Sequence, residues 1–273
     1  MLTAVLCASM SASLASLVQA DPISFIPTGL IQFKYNNFES QVTAEGQELS
    51  GIFTVTTINH DPGPINPALW ASGISDGTEL NGIFTGLVVS SIIPGGTTEI
   101  KFTGGQLAFY NVPVGSFNTT LPPTSTANLL ADACGGACPA PWLTANFDPG
   151  IVLGDLTTTL DSTVTSTTFP GTGKGSGYLS VATNSLGTGA NNAFFDRNGF
   201  TDPNGNTHDF FLESDVVMCN PAGGTAGCVD TFPVTSHDPF HVGASANVPE
   251  PASLLLVGSG LLALGTWRRL KKA

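Results

Sequence analysis

The sequence predicts an all-β protein whose body is an antiparallel β-sandwich, and three observations carry that prediction. Thr, Gly, Ser, Val, Ile and Phe are abundant while Lys, Arg, Glu and Met are scarce, and only 10% of the residues are charged. Such a composition lacks the charged residues that favour helices. The 32 glycines and 19 prolines punctuate the chain every few residues, which keeps elements short and turns frequent. Between them, apolar and polar residues alternate with the two-residue period of a half-buried strand, most clearly from Leu49 to Ile58.

The elements follow in order. A first strand is predicted from Ile31 to Val42. The next two share a repeat. Gly46-Gln47-Glu48-Leu49-Ser50-Gly51-Ile52-Phe53-Thr54 recurs 31 residues later as Gly77-Thr78-Glu79-Leu80-Asn81-Gly82-Ile83-Phe84-Thr85, with seven of nine positions identical. Each copy starts a strand, Leu49 to Ile58 and Leu80 to Ile93. Two copies are too few for a solenoid, so they are expected as neighbours in one sheet, with Phe53 and Phe84 facing the core. The loop between them contains Pro62, Pro64 and Pro67, which forbid regular pairing, and Trp70 is expected to anchor it. Further strands are predicted at Glu99–Phe102, Gln106–Tyr110, Leu153–Phe169, Gly177–Ala182, Asp209–Met218 and His237–Ala244. Leu156 to Thr168 is Thr-rich and suits an exposed edge. The run Gly171-Thr172-Gly173-Lys174-Gly175-Ser176-Gly177 lacks the spacing of a phosphate loop and is expected to be a flexible loop.

The body keeps four cysteines: Cys134, Cys138, Cys219 and Cys228. Four allow three connectivities. Local pairing, Cys134 with Cys138 and Cys219 with Cys228, is expected, because each pair spans a short stretch with Gly or Pro. A zinc site built from the four would prefer a shorter gap than that between Cys219 and Cys228. The stretch from Asp196 to Asp209 places oxygen-bearing side chains at alternating positions, Asp196, Asn198, Asp202, Asn204, Asn206 and Asp209. Alternation of this kind can wrap Ca²⁺, the one cofactor the sequence suggests. Asn204-Gly205 is also a hairpin-turn signal, and the turn is the preferred reading. His237 and His241 flank Pro239, which rules out the helix that would bring them together.

Charge excludes one class of partner. The chain has 8 Lys+Arg and 20 Asp+Glu. Four of the cations lie in the last six residues, leaving Lys34, Lys101, Lys174 and Arg197 against all twenty acids, a net −16 between Asp21 and Glu250. That surface repels nucleic acid and anionic lipid.

Both ends differ from the body. Met1 to Ala20 is apolar and closes on the small-x-small pattern Val18-Gln19-Ala20, as in a secretory signal peptide. No Lys or Arg precedes it, a departure that an upstream start codon would explain. At the other end Val248-Pro249-Glu250-Pro251 leads into Ala252 to Trp267, 16 residues without charge. Arg268, Arg269, Lys271 and Lys272 follow. The span is short for a membrane helix, but Trp267 suits the interface and the cations hold the C-terminus in the cytoplasm.

This order of Pro-Glu-Pro, apolar helix and basic cluster resembles the PEP-CTERM sorting signal of Gram-negative bacteria. The resemblance covers about a tenth of the chain. It implies processing by an exosortase, a membrane-embedded enzyme resembling cysteine transpeptidases, and a transient inner-membrane anchor. Such proteins are typical of bacteria that make exopolysaccharide. The expected organisation is therefore a signal peptide (1–20), a secreted sandwich body (21–247) and a sorting signal (248–273). The expected function is a non-enzymatic cell-surface or extracellular component of an exopolysaccharide or biofilm matrix. The alternatives are a carbohydrate-binding module, with Trp70, Trp142 and Tyr178 as candidate platforms, and a secreted hydrolase built on paired carboxylates.

Overall fold

The computed structural model describes residues 30–60, 68–219, 228–229, 231–237 and 239–243. The predicted signal peptide and the whole sorting tail, from Val248 through Lys272, lie outside them. Among the described residues no helix is long and apolar enough to cross a membrane.

The body is a closed antiparallel barrel, not the expected sandwich. In chain order the elements are β1 (Ile31–Glu39), β2 (Glu48–His60), β3 (Trp70–Ala71), β4 (Thr78–Ile93), β5 (Thr98–Pro113), α1 (Thr126–Cys134), β6 (Leu143–Asp148), β7 (Leu160–Val164), β8 (Gly171–Val181), α2 (Asn192–Phe195), β9 (Phe200–Thr201), β10 (Thr207–His208), β11 (Phe210–Met218), β12 (Val234–His237) and β13 (Phe240–Val242). Going round the wall, β1 pairs β2, β2 pairs β4 and β4 pairs β5. β5 pairs both β6 and β7, which pair β8. β8 pairs β11, and β11 pairs β12 and β13, which return to β1. β6 with β7, and β12 with β13, each form one interrupted stave, so the wall has eight staves. Sheet closure removes the unpaired edges that a sandwich would leave.

Three sequence expectations change with closure. β7 is no exposed edge: it is paired on both sides, and it spans only Leu160–Val164 of the longer strand predicted there. The two strands predicted at Glu99–Phe102 and Gln106–Tyr110 are one, β5, bent where Gly104 and Gly105 take φ of 71° and 103°. The glycine run at 171–177 is the first two-thirds of β8, not a loop. Its glycines recur with the strand period, and they face inward in phase with Leu179.

The interior is filled unevenly. At one end Phe33, Phe109, Trp142, Phe195 and Phe240 interlock, with Phe33 lying 5.9 Å from Phe109 and 6.0 Å from Phe195 between ring centroids. Trp70 is fully buried and its strand pairs β2, as expected for an anchor. The outer wall of β2, β4 and β5 carries a second apolar patch that includes Ile52, Ile83 and Tyr110, covered by Leu129 and Ala133 of α1. The Ser125 hydroxyl caps that helix by accepting from the Asn128 amide, and Gly135 ends it with φ of 66°. Both expected disulfides are formed, Cys134–Cys138 at the end of α1 and Cys219–Cys228 beyond β11.

Candidate functional site

The outer face of β7, β8 and β11 carries polar side chains in two rows perpendicular to the strands. Register sets Asp161 opposite Ser176 and Ser176 opposite Glu213; the next row is Thr163, Lys174 and Asp215. With Pro239 they line a trough of ≈ 270 Å³. Outward positions two apart on adjacent strands must share a face, so the rows follow directly from the pairing.

Asp161 is the informative member. Its Oδ1 is buried without a hydrogen-bond partner. Burial raises its pKa above the ordinary carboxylate value, the charge of Glu99 and a side-chain hydrogen bond with it add to the rise, and Lys101 opposes it. Lys101 is itself engaged, 3.3 Å from Glu99. Across the trough Lys174 reaches Asp215 at 3.7 Å in an exposed pair, an arrangement of small energetic weight. The trough thus offers acceptors from three carboxylates, hydroxyls from Thr163 and Ser176, and one ammonium. That mixture can both donate and accept hydrogen bonds.

An aromatic row borders the trough. Tyr178 lies opposite Phe211, and Phe211 opposite His241. Tyr178 is stacked 4.8 Å from His208 on one side and lies 5.1 Å from Phe211 on the other. Its ring therefore faces its neighbours. Trp70 and Trp142 are buried in the core. The three aromatic residues proposed from sequence as sugar platforms all use their rings for packing.

The structure does not bring the oxygen-rich stretch to one point. Asp202 Oδ1 accepts from the backbone amides of Asn204 and Asn206, both at 2.8 Å, and Oδ2 accepts from Asn206 Nδ2 at 2.9 Å. Burial alone would raise the Asp202 pKa, but these bonds and His208 hold it at about 2. Asn204 faces another loop, donating to the carbonyls of Gly150 and Val152 and accepting from Gly154. Asp209 accepts from the amides of Asn198 and Val181. Asn198 Oδ1 takes the Thr207 hydroxyl, and Asp196 is exposed. The Asn204-Gly205 turn joins the paired strands β9 and β10, as the hairpin reading expects. Among the described residues no group of three or more His, Cys, Asp or Glu is placed to hold a metal ion.

Fold and surface together define a small closed barrel with a polar trough outside and a partly filled apolar interior. Residues 247–269 match the PEP-CTERM protein-sorting motif. The match marks the chain as an exported surface protein processed by an exosortase and held in the membrane only before that step. No curated protein and no solved structure matches the chain. Sequence reasoning missed the trough, because Asp161, Glu213 and Asp215 meet only through strand pairing. It also missed Glu39, although the inward phase Ile31, Phe33, Tyr35, Asn37 and Glu39 was a usable signal.

Proposed function

We propose that this is a non-enzymatic cell-surface protein that binds a neutral matrix exopolysaccharide through the outer trough of β7, β8 and β11. The observation that carries the reading is the buried, unpartnered Asp161 Oδ1 in a trough lined by two further carboxylates. A buried acceptor without a donor is costly, and a sugar hydroxyl supplies the missing donor. The sorting motif supports the location. Net charge of −12 argues for a neutral polymer, since a polyanion would be repelled.

The test is co-sedimentation of the exported protein with polysaccharide from the producing cells. The doubly altered Asp161→Asn, Glu213→Gln protein should bind on the order of tenfold more weakly, a loss of about 1.4 kcal/mol, with unfolding unchanged. Equal binding by the altered and unaltered proteins would remove the trough from the mechanism. Shortening of the polymer during incubation would replace the binding reading with the hydrolase.

A further inference from the structure

Above the aromatic plug the barrel interior is open. A cavity of ≈ 100 Å³ lies in the half formed by the end of β1, the start of β2 and β5, and the facing parts of β7, β8 and β11. Phe109 and Phe240 form its floor. One wall is apolar, built from Phe53, Phe84, Leu87, Phe102 and Leu107. On β8 Gly175 contributes no side chain: a Cβ there would meet nothing nearer than Ser162 Oγ at 3.8 Å. Gly175 therefore leaves space that a Val would fill.

The opposite wall is polar, although it lies inside a barrel. Glu39 is buried at the mouth end of β1. Its Oε1 accepts from Asn37 Nδ2 at 2.8 Å and from the Ser236 hydroxyl at 2.6 Å. Both donors go to the same oxygen, so Oε2 receives none among the described residues. Asn37 Oδ1 has no partner either, and it is buried. Once Glu39 is ionised, these two acceptors call for donors from a ligand. No other charged side chain stands among the described residues that line the cavity, whether from β2, β4, β5, β7, β8, β11 or β12. Tyr35, the only other titratable group there, directs its hydroxyl to the Glu213 carbonyl.

We propose that the barrel interior is a binding site for a short-chain alkylammonium ligand, its cationic head on Glu39 and Asn37 at the mouth and its apolar chain against Phe109 and Phe240. An ammonium carries several N–H donors and offsets the one buried carboxylate. The acidic body draws cations and repels carboxylate ligands. Size limits the chain: an apolar cavity of about 150 Å³ takes benzene, so this one suits a chain of about four carbons. Burial raises the Glu39 pKa to about 7, which adds a signature to the geometry. The head should be held above that pH and released below it.

The experiment is calorimetric titration of the detergent-free exported protein with n-butylamine, butan-1-ol and butyrate, at about pH 5.5 and about pH 8.5. Butylammonium should bind at least about tenfold more tightly at the higher pH, as the ionised fraction of Glu39 dictates. Butan-1-ol should bind more weakly and equally at both, and butyrate should give no heat. Glu39→Gln should remove the pH dependence for the amine and leave the alcohol unchanged. Gly175→Val, which enters open space, should fold and abolish binding of both. Amine binding that is independent of pH and of Glu39→Gln would overturn the proposal. So would binding that survives Gly175→Val, a preference for butyrate, or no heat with butylamine at all.

Discussion

Glu39 sits where a carboxylate has lost its water, and its partners are neutral. Burial raises its pKa from 4.5 to about 7, the Ser236 hydroxyl opposing that rise only in part. The folded protein therefore holds a proton that the unfolded chain releases between those values. The associated stability is complete below about pH 4.5 and is lost as pH rises through about 7. A shift of this size corresponds to about 3 kcal/mol. Chemical unfolding at about pH 5 and about pH 8 should show that loss in the unaltered protein, and Glu39→Gln should flatten the difference. An unaltered slope in the variant would mean that another group titrates. The residue was partly legible in sequence, because it continues the inward phase of Ile31, Phe33 and Tyr35. Its burial was not, because the strand that supplies Ser236 lies about two hundred residues later in the chain. Asp202 shows the opposite case. The amides it accepts from belong to Asn204 and Asn206, its neighbours in sequence, and the turn it organises was visible from Asn204-Gly205.

At the level of elements, the two repeat copies hold each other. β2 and β4 are antiparallel neighbours, with Ile52 opposite Ile83, Gly51 opposite Phe84 and Phe53 opposite Gly82. The pairing is symmetric about the isoleucines, so each glycine faces the phenylalanine of the other copy. A Cβ on Gly82 would run into the Phe53 ring and the Ala108 carbonyl, and one on Gly51 into the Phe84 ring and the Phe38 carbonyl. Both rings are buried, as expected from sequence, at 4% and 5% exposure. Phe53→Ala should cost about 3 to 5 kcal/mol, read from the midpoint of denaturant unfolding. Gly82→Ala should cost at least about 1 to 3 kcal/mol through overpacking. The double variant should be less destabilised than the sum, because one of the two clashes vanishes with the ring. Strict additivity would show that the ring does not occupy the space over Gly82. The repeat announced two similar strands, and they form where the motif places them. The reciprocal fit was hidden, because it depends on register, and register is fixed by the partner strand. The glycine-rich β8 was misjudged for a related reason: glycine usually marks loops, and only a paired strand on each side turns four of them into one inward face.

For the molecule as a whole, alternation cannot separate a sandwich from a barrel, since both bury one face of every strand. The choice rests on the pairing of β1 with β12 and β13, across nearly the full length of the body. No local pattern encodes that contact. Closure leaves an acidic shell whose eight staves are each paired on both sides, with one disulfide at the end of α1 and another beyond β11, a construction suited to an oxidising exterior. The sorting motif at 247–269 follows the last described strand closely, so the barrel is complete before the tail begins. Cleavage there would leave every wall strand intact. Intact-mass analysis of the exported protein should therefore show loss of everything beyond the Pro249-Glu250-Pro251 segment, with both disulfides retained. Replacing Arg268, Arg269, Lys271 and Lys272 by Ala removes the charges that hold the C-terminus inside, and the unprocessed chain should then accumulate in the membrane or in the wrong orientation. An exported species that still carries Arg268 would show that the tail is an anchor the protein keeps, and that sorting does not proceed through its removal.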